Sequence, residues 1–175
     1  MTKQYENQIS YFNDFLEEVK KYTKNIHNLN AGATRKSIEE TEVKLGMKLP
    51  KRYFEFLLLH NGGELFAIPT GTVLAEVFNV ENSQRIKGIA YIDESFMEKR
   101  RLPNMKEQYL IIADYSYGDL ICLDMSRCDG IEAVVVKWNH EIGYVDEEWE
   151  TLIDWLMEEM EVGGMIVDYE GNDID

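Results

Sequence analysis

Three histidines, two cysteines and a large excess of carboxylates are the residues of this chain that could do chemistry. His27, His60 and His140 lie far apart, and none has the His-x-x-x-His spacing that puts two imidazoles on one helix face for a metal. His60 closes a predicted helix just before Gly62-Gly63, where a cation answers the helix dipole. His140 follows Trp138-Asn139 at a strand end and reads as a turn residue. Cys122 sits inside an apolar run and reads as a core thiol. Cys128 is next to Asp129, and an adjacent acid raises a thiol pKa, which works against a nucleophile. Asp114, Asp119 and Asp124 recur every five residues, without the Asp-x-Asp-x-Asp-Gly pattern of a calcium loop. Gly-x-Gly-x-x-Gly, the P-loop, Gly-x-Ser-x-Gly and Cys-x-x-Cys are all missing. The sequence therefore predicts no catalytic residue, no metal site and no cofactor.

What acids mixed with aromatic rings can do is bind a protein, since aromatic anchors and charge pairs carry most interface energy. Two segments have that mixture: Asp114-Tyr115-Ser116-Tyr117-Gly118-Asp119, and His140 through Glu148. The residues predicted to touch a partner are Asp114, Tyr115, Tyr117, Asp119, Glu141, Tyr144, Asp146, Glu147 and Glu148.

The 175 residues carry a net charge of −15, and the charge is unevenly placed. Residues 1–137 hold 20 acids and 18 bases, while residues 138–175 hold 13 acids and no Lys or Arg. Direct binding to a nucleic-acid backbone or an anionic membrane is disfavoured, because both run on Lys and Arg. The acidic third reads either as a solvated face that keeps the protein soluble or as a landing site for a basic partner. The N-terminus is polar, with no signal-peptide core. The longest apolar run, Tyr109 to Ala113, is far short of a membrane span. Two cysteines without an export signal suit a reducing cytoplasm.

These residues must be positioned by an alternation of helices and short strands. The apolar spacing of Ile9, Phe12, Leu16, Val19 and Tyr22 predicts a helix over 5–23, followed by an Asn-rich loop at 24–33. Thr34 caps a second helix ending at Leu45-Gly46, with Ser37 and Glu40 as a second candidate cap. Leu49-Pro50 starts a third, with Pro50 at its first position, and Asn61-Gly62-Gly63 stops it. Strands are predicted at 64–68, 72–78, 109–113, 120–124 and 133–138, with a short one at 140–144. The turns between the later strands are short, which favours an antiparallel meander. Helices are predicted at 83–98 and 147–161, the latter with Trp149, Leu152, Ile153, Leu156 and Met160 on one stripe. An acidic tail fills 162–175, and its Met165-Ile166-Val167 either docks as an edge strand on its own sheet or pairs with another chain. One α+β domain is the expectation: a mostly antiparallel sheet with N-terminal helices and a closing C-terminal helix packed around it.

The order of these segments resembles the SUKH superfamily, in its cell-wall-assembly-regulator-like (Smi-Knr-type) branch. The resemblance rests on Ile38, Glu42, Leu45-Gly46, Leu49-Pro50, Tyr53, Phe56-Leu57 and Asn61-Gly62-Gly63. It continues through Leu110 to Asp114, Gly118 to Asp124, Val134 to His140, and the Trp149–Leu156 segment. It covers about residues 34–157 and leaves out the first helix and the tail. It implies the α+β fold above and no shared catalytic residues. It further implies an immunity protein of a polymorphic or contact-dependent toxin system, which binds a cognate toxin domain in the cytoplasm and blocks it. A basic nuclease is the toxin class that the acidic third would suit, since phosphate-binding enzymes are basic. The alternatives are a regulatory scaffold with several weak partners, and an inhibitor whose acidic tail mimics nucleic acid. The chain itself is expected to be a monomer or a weak homodimer.

Overall fold

The computed structural model describes residues 10–67, 71–77, 92–99 and 102–174. Within them, α1 (Asn13–Lys21) is followed by β1 (Asn28–Leu29), α2 (Arg35–Leu45), α3 (Lys51–Leu59), β2 (Gly63–Leu65) and β3 (Thr72–Leu74). Then come α4 (Ile92–Lys99), β4 (Tyr109–Tyr115), β5 (Leu120–Cys128), β6 (Ala133–Asn139), β7 (Tyr144–Trp149) and α5 (Leu152–Gly164). The seven strands form one sheet in chain order, and each neighbouring pair is antiparallel. The β4–β5–β6 part is the predicted meander and the class is the predicted α+β; the continuation of the same order through β1–β3 and β7 goes beyond the expectation.

The motif from Thr34 to Gly63 works through backbone chemistry. Thr34 caps α2 by accepting the Ser37 N–H at 3.1 Å, and Gly46 ends it in the left-handed region at φ 67°. Pro50 sits one position earlier than expected, as the N-cap of α3. The buried Glu42 ties the two helices together, accepting the Leu49 N–H at 2.9 Å and pairing with Lys48 at 2.6 Å. Asn61, fully buried, exchanges two hydrogen bonds with the backbone of Val77, at 3.0 and 2.8 Å. Gly62 and Gly63 take φ of 73° and 124°, and a Cβ on Gly63 would stand 2.4 Å from the Asn28 carbonyl oxygen. Only glycine lets β2 run this close to β1.

Strands β4 and β5 are buried on both faces: Leu110 to Ala113 and Leu120 to Leu123 are all in the core. Helix α4 lies against β4, and α5 lies against β6, β7 and α1. From α5, Leu152, Trp155, Leu156 and Met160 enter the core, each buried apolar side chain contributing roughly 1.5–3 kcal/mol. The N-terminal helix is part of that core. Phe12 and Phe15 are fully buried, with ring centroids 5.5 and 6.2 Å from that of Phe56.

Several elements differ from the sequence expectation. Residues 140–143 form a turn rather than a strand, and the strand is β7, through Trp149. The last helix therefore starts at Leu152, not Glu147, because Thr151 and Asp154 form a capping box there. It also runs on to Gly164. The loop at 24–33 contains β1, β2 is only Gly63–Leu65, and β5 continues through a bulge to Cys128. Of the 83–98 helix, Ile92–Lys99 is seen, while 83–91, Ile68, Phe78 and the first residues of the 5–23 helix lie outside the described residues. The tail folds back on α1: the Thr23 N–H donates to the Tyr169 carbonyl at 2.8 Å, and Val167 is buried. Val167 bridges to Asp173 within the tail and adds no strand to the sheet.

Candidate functional site

The two acid-and-aromatic segments meet at one end of the meander. The β4–β5 turn is tight: the Tyr115 N–H donates to the Asp119 carbonyl, and the Gly118 N–H to the Tyr115 carbonyl, both at 2.9 Å. Gly118 takes φ 109°, and a Cβ there would press on the His140 ring at 3.2–3.3 Å. Asp119 is buried and locks the neighbouring turn, accepting from the His140 N–H at 3.0 Å and lying 2.7 Å from its Nδ1. Asn139 shapes the β6–β7 turn by accepting the N–H groups of Glu141 and Ile142 at 3.0 and 3.3 Å.

Beside these turns, a cleft of about 350 Å³ opens between the sheet and the C-terminal half of α5. Thr72, Tyr115, Tyr117, Lys137, Glu147 and Trp149 line it from the sheet side. Glu158, Glu159, Val162 and Gly163 line it from the helix, with Phe66 and Ile166 at its end. The rings of Tyr115 and Tyr117 stack with centroids 5.1 Å apart and planes 5° off parallel. Tyr115 donates its hydroxyl proton to Glu159 and accepts from the Trp155 indole at 3.4 Å. Thr72 donates to the second Glu159 oxygen at 2.9 Å. Burial pushes the Glu159 carboxyl above its ordinary pKa, and the hydroxyl donors pull it partly back. The Trp149 indole donates to Glu158 at 2.6 Å. Lys137 lies 2.5 Å from Glu147 and 3.6 Å from Asp146. Burial works against its charge, but those carboxylates outweigh it and its pKa is raised.

The structure brings Tyr115, Tyr117 and Glu147 into this cleft, with Asp146 reaching it through Lys137. Asp114 is half-buried at the end of β4, Asp119 lies beneath the turn, and Glu141 is on its exposed rim. Tyr144 and Glu148 point elsewhere. They line a second hollow with Lys106, Tyr109, Asp124 and Arg127, where Glu148 is paired in bidentate fashion with Arg127 at 2.8 and 2.9 Å. The alternation of a β-strand sends Glu147 and Glu148 to opposite faces. Trp149, Glu158 and Glu159 are missing from the sequence prediction. Reading Trp149 as helical hid it, and the Thr151-x-x-Asp154 pair was the signal that would have moved it into a strand.

The residues singled out in the sequence for their chemistry are placed apart from one another, and the His140–Asp119 pair is the one imidazole–carboxylate contact described among them. His60 is the extended residue after α3, with its Nδ1 3.0 Å from the Asn30 carbonyl oxygen, and burial lowers its pKa. Cys122 is buried and its thiol pKa is raised by that burial. Asp114, Asp119 and Asp124 are separated, Asp124 holding Ser126 and Arg127. Among the described residues no three His, Cys, Asp or Glu side chains converge on a point a metal could occupy. Nor is any described helix long and apolar enough to cross a membrane.

Five described helices packed with a seven-stranded antiparallel sheet make this an α+β protein. The chain belongs to the SMI1 / KNR4 family (SUKH-1), whose model matches residues 32–158. It is similar in fold to a protein from Pseudomonas syringae pv. tomato known from its crystal structure. That likeness has a TM-score of 0.59 and 16% identity over 83% of this chain and 96% of the other. The curated proteins give no match. Family membership is consistent with an immunity role.

Proposed function

We propose that this protein is an immunity protein that binds a cognate bacterial toxin domain in the cytoplasm and blocks it by direct contact, without catalysis. One observation carries the reading. The chain beyond Lys137 has 13 acids and no Lys or Arg, and part of that charge borders an open, aromatic-lined cleft. Its placement is electrostatically costly to the fold. Glu161 occupies the last turn of α5, where the helix dipole disfavours an acid and no basic residue of that turn offsets it. Charge held against the dipole supports selection for binding rather than for stability. A field of one sign raises encounter rates with a basic partner by roughly 10–10³ at low salt. The toxin that suits this surface is basic, as nucleases are.

The test is a tagged pull-down from the native cytoplasm, washed at low and at high salt, followed by co-expression with what is captured. A single stoichiometric basic partner that survives high salt and is toxic unless this chain is present is the expected result. Many substoichiometric partners lost at moderate salt would overturn the immunity reading in favour of a scaffold.

A further inference from the structure

Glu159 is a carboxylate without a cation. Its two oxygens are held by the neutral hydroxyls of Tyr115 and Thr72, and no Lys or Arg among the described residues pairs with it. Lys137, the Lys in the cleft lining, is engaged by Glu147 and Asp146. The carboxylate stands at the wall of a cleft that also holds the stacked Tyr115–Tyr117 pair, the Trp149 indole and a second carboxylate, Glu158. Apolar side chains flank it: Val162 is 50% and Ile166 36% exposed. A desolvated carboxylate pays least for its burial when a charge-assisted, geometrically fixed donor reaches it. A planar guanidinium can do this while lying on an aromatic face. An ammonium, more strongly hydrated and without a plane, fits less well.

We propose that this cleft is a receptor site for one arginine side chain of the protein partner, flanked in the partner by apolar residues. The guanidinium sits between Glu159 and Glu158 against Tyr117 and Trp149, and the flanking residues cover Val162 and Ile166. The inference rests on the partner-binding reading for its biological meaning, but the site can be tested without the partner.

The probe is the blocked tripeptide acetyl-Leu-Arg-Leu-amide, with its citrulline counterpart as the neutral isostere and its lysine counterpart as the second cation. Binding is followed by the three tryptophan indole N–H signals in NMR. Trp149 lines the cleft and Trp155 touches Tyr115, whereas the Trp138 indole pairs with no described group and serves as the internal control. The arginine peptide should shift Trp149 and Trp155 saturably and leave Trp138 in place. Citrulline should bind about tenfold more weakly or not at all, since a lost charge-assisted contact is worth at least that factor. Lysine should fall between them. Glu159→Gln should weaken the arginine peptide about tenfold, and Glu39→Gln, exposed on α2, should not. If Glu159→Gln does not fold, Tyr117→Ala at the exposed tip should give the same weakening. Equal shifts from arginine and citrulline, no saturable shift, or full binding by both Glu159→Gln and Tyr117→Ala would overturn the proposal. Such a result removes the cleft from the interface and leaves the immunity reading to the pull-down.

Discussion

Replacing Gly163 by alanine should destabilise the protein, against the direction that helix propensity alone predicts. Gly163 is the penultimate residue of α5, buried at the end of the cleft. In an open helix Gly→Ala gains about 1 kcal/mol. Here a Cβ would stand 2.2, 2.3 and 2.4 Å from three ring atoms of Phe66. Ordinary carbon contacts are about 3.5–4.0 Å, so the ring must retreat by roughly an ångström or more. It has little room. Phe66 is 2% exposed, and its ring meets those of His27 and Tyr22 edge-on at 4.5 and 5.3 Å. Its backbone N–H is held by His27 Nδ1 at 3.2 Å, with φ at 45°. Overpacking of this kind costs about 2–3 kcal/mol, which leaves a net loss of about 1–2 kcal/mol after the propensity gain. For a chain of this length that is a fall in melting temperature of ~2–8 °C. Urea titrations and thermal melts by circular dichroism measure it. The partner variant Phe66→Leu shortens the ring and should absorb the new methyl, so the double-mutant cycle should show a coupling of about 1 kcal/mol or more. A Gly163→Ala protein as stable as the parent, or more so, would refute the reasoning.

Asp119→Ala should cost about 1–3 kcal/mol, because it leaves the His140 N–H and Nδ1 without their acceptor. The loss should appear in the urea midpoint, with amide shifts concentrated at residues 138–144. Two buried groups should give the stability a pH dependence of opposite signs. Burial depresses His27 to about 4 from 6.5, and its Nδ1 is already used to accept the Phe66 N–H. The unfolded chain therefore takes up a proton between those values, and stability falls as pH drops through that window by about 1–3 kcal/mol, allowing for partial solvent screening. Burial raises Glu76 to about 7 from 4.5, so the folded chain holds the extra proton and stability falls as pH rises through that range. Urea midpoints from pH 4 to 8 should lose the acid fall in His27→Phe and the neutral-range fall in Glu76→Gln; unchanged profiles would show that neither group titrates as described. Glu161→Lys, at the exposed end of α5, should stabilise by about 0.3–1 kcal/mol through the helix dipole. The same change should slow association with a basic partner at low salt, a rate that stopped-flow fluorescence would read.

The family motif and the proposed binding surface use different parts of the chain. Glu42, Asn61, Gly62 and Gly63 are spent on helix ends and close backbone approach, which any member with this fold must solve. Under the proposed function, partner recognition falls to the meander turns and the far end of α5. Removing the first helix would expose Phe12 and Phe15, so that helix belongs to the core even though it precedes the matched region.

Residue order alone determined the parts whose causes are local. Thr34, Gly46, Pro50 and Asn61-Gly62-Gly63 set helix ends through backbone hydrogen bonds and φ values within a few residues, so α2, α3 and the stop after α3 were legible. So were the short turns of the β4–β5–β6 meander and the acidic bias after Lys137. The Val145–Leu156 stretch misled because Trp149 also falls on a helical stripe, and only the Thr151–Asp154 capping box separates strand from helix there. Tertiary structure decided which acids face which way. Glu147 and Glu148 are neighbours in sequence but belong to opposite faces of β7, one with Lys137 and one with Arg127. It also decided that Glu159 meets Tyr115 and Thr72, which lie 44 and 87 residues away. Contacts at that separation arise when α5 closes over the finished sheet, and no local pattern encodes them.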